Sequence, residues 1–136
     1  SGSSRFLPLP QHVEYGTMGW EGGAMSEQII VLITASSQEE AEGIANTLVA
    51  EMLAACVNVV PGITSVHRWQ GEVQRDAEWL LIAKSRRDVL DALVQRVQAL
   101  HSYDVPEVIA LPLVGGNAAY LRWLDREVHG SWHALD

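Results

Sequence analysis

The sequence predicts an α+β fold of the split βαβ type, in the order strand, helix, strand, strand, helix, strand, closed by one more C-terminal helix. Three observations predict it. β-branched apolar runs recur as short, bounded segments. Two apolar stripes at helical spacing each follow a capping-box signature. A stretch of fourteen residues, too long for an ordinary strand, lies between the two helices.

Each element follows from its residues. Gln28 to Thr34 carries Ile29, Ile30, Val31, Leu32 and Ile33 without a break, as expected of a strand buried on both faces. Ser37 with Glu40 three residues on forms a capping box, and Ala41, Ile44, Ala45, Leu48, Val49, Met52 and Leu53 then line one face of a helix. Cys56 to Trp69 reads as a second strand interrupted at Pro61-Gly62, and Glu78 to Lys84 as a third, with Gly71 marking the hairpin turn between them. Ser85 and Asp88 form another capping box, before a stripe of Val89, Leu90, Leu93, Val94, Val97 and Leu100. Val108 to Leu111 supplies a short fourth strand ending at Pro112. Asn117 caps a last helix carrying Tyr120, Leu121, Leu124 and Val128 after the Gly115-Gly116 turn.

Residues 1–25 mix Gly, Ser and Pro without periodicity and read as a disordered or added N-terminal tail; residues 26–130 form the domain and 131–136 a C-terminal tail. Right-handed crossovers place both main helices on one face of an antiparallel sheet. The opposite face is then uncovered yet apolar, with Val57 and Val59 expected on it, and such a face is either an interface or an aggregation liability. Fourteen residues from Cys56 to Trp69, at roughly 3.3 Å each, span about 46 Å, so the hairpin overhangs its own domain. Pairing with neighbouring subunits in a closed ring would remove the free edges by symmetry.

The chain has 136 residues, 48% apolar and 19% charged, which fits one domain with a real core. A net charge of -8 repels phosphate backbones, so nucleic acid is a poor partner. The single cysteine, Cys56, excludes an intrachain disulfide and favours a reducing compartment. No apolar run is long enough to span a bilayer, so no membrane partner is expected. Neither a Walker lysine pattern nor Gly-x-Gly-x-x-Gly accompanies Gly115-Gly116-Asn117, which leaves nucleotide binding unsupported.

Four stretches resemble the CutA family of divalent-cation tolerance proteins: Ala54-Ala55-Cys56-Val57-Asn58 with Pro61-Gly62-Ile63, Arg68-Trp69 with Gly71-Glu72, Leu81-Ile82-Ala83-Lys84, and His101 through Ile109. They occur in family order between about Gln28 and Val128. His67, where the family more often has tyrosine, and Ser102, where it usually has proline, depart from the pattern. The resemblance implies a ferredoxin-like protomer assembled as a homotrimer through its long hairpin. It also implies a link to copper and other divalent cations, and no established enzymatic reaction.

The candidate chemistry falls in two groups. His101, Tyr103 and Glu107 share a compact loop before the fourth strand. Imidazole and carboxylate suit a borderline divalent ion, so Cys56, His101 and Glu107 form the candidate metal set, with the thiolate as the soft ligand for copper. No Cys-x-x-Cys or His-Glu-x-x-His supports a closed zinc site. The competing reading makes Cys56 a small buried hydrophobe and the loop structural. Arg68, Trp69, Lys84 and Tyr103 form the second group, either ion pairs and packing between subunits or an anion pocket where subunits meet. His129 and His133, in a polar tail with Trp132, read as surface residues. The sequence thus predicts a cytoplasmic, trimeric cation-tolerance protein. The rivals are a trimeric signalling or scaffold module binding a small anionic metabolite and, last, an enzyme using His101 and Glu107 as acid and base.

Overall fold

A computed structural model describes residues 27–129; the two expected tails, with Trp132 and His133, lie outside the described residues. The elements are β1 (Gln28–Ala35), α1 (Gln38–Ala50), β2 (Cys56–Trp69), β3 (Glu72–Arg86), α2 (Leu90–Leu100), β4 (Val108–Pro112) and α3 (Ala118–Glu127). The four strands form one sheet in the order β2-β3-β1-β4, and every pairing is antiparallel. This is the ferredoxin-like arrangement the pattern predicts.

Parity along the strands decides which side chains meet the helices. Ile29, Val31 and Ile33 of β1 pair with Ser85, Ala83 and Leu81 of β3, and all six are buried. Ala41, Ile44 and Leu48 of α1 join Leu90, Leu93 and Val97 of α2 on this layer. The sequence suggests the uncovered face for Val57 and Val59, but the register sets them beside Ala83 and Leu81, and they pack on the core under the helices. The second face carries instead Cys56, Asn58 and Val60 of β2, Lys84, Ile82 and Leu80 of β3, Ile30 and Leu32 of β1, and Ile109 and Leu111 of β4.

That second face is not wholly bare. At one end α3 crosses it: Asp125 accepts from Gln28 Nε2 at 3.0 and 3.1 Å and pairs with Arg86, while Leu124 is fully buried. Arg86 also meets Asp88 at 3.2 Å and Glu27 at 3.7 Å. As expected, Asn117 caps α3, its Oδ1 accepting from the amides of Ala119 and Tyr120.

Two helix starts differ from the capping-box reading. Ser37 Oγ accepts from Glu40 N–H at 3.1 Å as a cap should, but the reciprocal bond from Glu40 lands on Ser36. Ser85 does not cap α2 at all. It is the penultimate residue of β3, fully buried, with its hydroxyl donating to the Leu53 carbonyl at 2.7 Å. A 3₁₀ turn over Arg87–Val89 then leads into α2, which has no side-chain cap.

The third strand begins at Glu72, six residues before the expected start, so both arms of the hairpin are long. A two-residue turn joins them, with Gln70 at φ 53° and Gly71 at φ 81°, the left-handed pair that suits the twist of a tight hairpin. Pro61-Gly62 shifts the register between Val60 and Ile63 without ending the strand, Gly62 taking φ 76°. Beyond Glu78 the hairpin leaves the domain: Val66 is 57% and Val73 66% exposed.

Candidate functional site

The residues that carry chemistry fall in three places on the protomer. The first is the loop from His101 to Glu107, which starts where α2 ends. The His101 ring is fully enclosed. Its Nε2 lies 2.7 Å from the Thr34 carbonyl, and its Nδ1 is 3.1 Å from the Tyr103 amide nitrogen. A carbonyl only accepts and an amide N–H only donates, so the proton sits on Nε2, and Nδ1 is the acceptor. Both nitrogens are therefore engaged by backbone groups of the same chain.

Glu40 and Glu78 complete this place, and neither stands out in the sequence as a site residue. Glu40 Oε1 accepts from the Ser36 amide and hydroxyl at 2.9 Å, and Oε2 accepts from the Ser102 amide at 2.7 Å. Burial pushes the Glu40 carboxyl up as the largest single influence, but the donors on Ser36 and Ser102 together outweigh it and hold the group at about 2. Tyr103 donates to Glu78 Oε2 at 2.6 Å; burial first, then that carboxylate, raise the phenol well above its usual range. In the contact with Glu40 that the geometry resolves, Ser102 donates its backbone amide, a bond the family's usual proline could not make. Glu107 is exposed at the far end of the loop.

The second place is the end of the open sheet face beneath α3. Cys56 pairs across the ladder with Lys84, whose ammonium lies 4.0 Å from the sulfur and also donates to Asn58. Burial first, then the neighbouring Cys56, push the Tyr120 phenol up. The thiol is half-buried rather than sealed in the core, with the Lys84 ammonium beside it.

The third place is the hairpin tip. Arg68 reaches the Gly71 carbonyl at 3.4 Å, and Trp69 is half-buried. Neighbouring strand residues point to opposite faces, so Arg68 shares a face with Val66, Val73 and Arg75, while Trp69 lies on the other with His67. His67 meets Asp76 at 3.5 Å.

Along β3, Glu72 at the tip, Glu78 at the loop and Lys84 near Cys56 are six residues apart in turn, or about 20 Å each at strand rise. The set Cys56, His101 and Glu107 is thus not assembled within one protomer, and among the described residues no three His, Cys, Asp or Glu side chains are grouped to hold a metal ion. Nor does one protomer bring Arg68 and Trp69 to Lys84 and Tyr103. No described helix is long and apolar enough to cross a membrane.

Comparison with known proteins agrees with this architecture. The family described as CutA1 divalent ion tolerance protein matches residues 29–127. A divalent-cation tolerance protein CutA of Thermus thermophilus is 56% identical over 95 residues, spanning 70% of this chain and 92% of its own length. The chloroplastic protein CutA 1 of rice is 53% identical over 103 residues, 76% of this chain but only 58% of the rice protein. A solved divalent cation tolerance protein, also from Thermus thermophilus, superposes with a TM-score of 0.74 at 52% identity, covering 75% of this chain and 99% of that one.

Proposed function

Since the chain belongs to the CutA1 divalent ion tolerance family, we propose that it works as a homotrimer that binds copper or another divalent cation where protomers meet. One observation carries this reading: the hairpin formed by β2 and β3 extends beyond its own domain with Val66 and Val73 exposed, and the edge strand β4 presents Ile109 and Leu111 half exposed to solvent. Overhang and open edge are complementary needs that further copies of the chain satisfy, and closure around an axis leaves none of them free.

The distribution of donors supports an ion held between subunits. Within a protomer the described residues do not fit a closed metal site. Cys56 offers a half-buried thiol and Glu107 an exposed carboxylate, each needing groups from elsewhere to complete a coordination sphere. An anionic metabolite at the 101–107 loop is less well supported, because Asp104 and Glu107 of the loop and the Glu40 and Glu78 that hold it are all acidic. The lone thiol fits the reducing cytoplasm, although the rice relative is named chloroplastic.

Sedimentation velocity over micromolar concentrations tests the assembly, and a monomeric or dimeric mass throughout would overturn it. Calorimetric titration with Cu(I), Cu(II) and Zn(II) tests the ligand. Cys56→Ser should weaken Cu(I) binding at least about tenfold with the assembly intact, because a hydroxyl is a far poorer ligand for a soft ion. Unchanged Cu(I) affinity in that variant would remove Cys56 from the site.

A further inference from the structure

His101 is a fully enclosed titratable group that the proposed cation binding does not use. Three elements converge on it. β1 offers the Thr34 carbonyl to Nε2, the loop offers the Tyr103 amide to Nδ1, and α1 places Glu40 Oε2 at 3.7 Å from Nδ1. We propose that His101 is a proton-operated latch on the 101–107 loop: the neutral ring holds the loop through Tyr103 N–H, and the protonated ring exchanges that bond for one to Glu40 and lets Tyr103 go.

The atoms leave little choice. Nε2 already carries a proton directed at a carbonyl, so an added proton goes to Nδ1, whose lone pair now accepts from Tyr103. Nδ1–H and Tyr103 N–H then face each other as two donors. The acceptor within reach is Glu40, which its bonds to Ser36 and Ser102 keep ionised throughout the range in which imidazole titrates. The charged side chains around the ring and its phenol neighbour are Glu40 from α1 and Glu78 and Asp76 from β3, all anionic. Strand β1 contributes only a backbone carbonyl.

Movement of the Tyr103 amide carries its phenol with it, and so loosens the bond that ties the loop to Glu78 at the root of the hairpin. Acidification would then be felt beyond His101, at the junction from which the hairpin projects. The inference stands on protomer geometry and is independent of which ion the protein binds.

Nuclear magnetic resonance on the ¹⁵N-labelled protein, titrated from about pH 8 to 5, tests it. The expected result at the upper end is an Nε2–H tautomer for His101. On acidification the amides of Ser102 and Tyr103 should shift with the same midpoint as the His101 ring, and Tyr103 amide exchange should quicken about tenfold. In His101→Gln these loop shifts should vanish. An Nδ1–H tautomer at neutral pH, a ring that titrates while the Tyr103 amide stays still, or a ring that never titrates before unfolding would each overturn the latch. Loop shifts that persist in His101→Gln would do the same. The wild-type tautomer and titration decide the matter even if that variant fails to fold.

Discussion

Tyr103 donates its phenol to Glu78 Oε2 across 2.6 Å, joining the loop after α2 to the strand at the root of the hairpin. Glu78 is only 8% exposed, and a carboxylate that far out of water depends on such donors. Tyr103 is the more exposed partner, so the bond holds a surface loop down onto a buried charge.

Removing the phenol should therefore be costly out of proportion to the atom lost. Tyr103→Phe leaves the Glu78 oxygen without this donor and should destabilise the protein by about 1–3 kcal/mol. Pairing it with Glu78→Gln should recover part of the loss, because the buried charge is gone and the two sites are coupled. Urea denaturation at one fixed protein concentration checks both, since the proposed assembly would shift apparent stability.

Ser85→Ala separates the capping-box expectation from the bond seen in the fold. A lost helix cap would lower the helix signal of α2. Loss of the Ser85 hydroxyl from the Leu53 carbonyl should instead cost about 1 kcal/mol with unchanged far-ultraviolet circular dichroism.

The contrast shows what the sequence could and could not disclose. Apolar periodicity places every main element, because strands and helices that bury one face must repeat with their own period, and Asn117 caps where its side chain says it should. Ser85 misleads because a serine entering a helix and a serine ending a buried strand look alike until the Leu53 carbonyl is beside it. Residues 72–77 hide as a strand since the overhanging arm has no core of its own to impose alternation. Val57 and Val59 lie on the face opposite to the expected one because β2 carries apolar or small side chains at both parities, and only its register against Leu81 and Ala83 decides between them. The loop is legible as a cluster of ionisable groups, but its partners Glu40 and Glu78 arrive from 62 and 25 residues away.

Acid should weaken the fold partly through Glu40. Its carboxyl is held at about 2 in the folded chain against an ordinary 4.5, so the stabilisation is fully present above pH 4.5 and is lost as pH falls toward 2. Glu40→Gln lacks this contribution. Its melting temperature should fall less steeply than that of the wild type between those limits, measured by scanning calorimetry in matched salt. Parallel slopes would mean that the carboxylate is not the acid-sensitive group.

At the hairpin turn, Gly71 adopts φ 81°, which side chains with a Cβ reach only under strain. A Cβ there meets nothing within 4 Å, so crowding is not the issue and the cost is conformational. Gly71→Ala should destabilise by about 1–2 kcal/mol in denaturant unfolding.

The hairpin also offers a substitution that distinguishes the protomer from its assembly. Val66 faces Arg75 across the ladder, and Val73 faces Arg68, so the double variant Val66→Glu/Val73→Glu places each carboxylate opposite a guanidinium. Cross-strand pairs of opposite charge contribute about 0.2–1 kcal/mol, and both positions are more than half exposed in the isolated protomer, so its fold should be unharmed or slightly strengthened. In the proposed trimer, a neighbouring subunit packed on Val66 and Val73 would change the balance. Burying two carboxylates against an apolar surface costs several kcal/mol per charge, more than exposed pairs return. If the proposed trimer closes on this face, the variant should sediment as a folded monomer, with native circular dichroism, at concentrations where the wild type sediments as a trimer. A double variant that remains trimeric with unchanged dissociation would show that this face of the hairpin stays in solvent, and the closure would have to run through the opposite face, with Trp69 and His67.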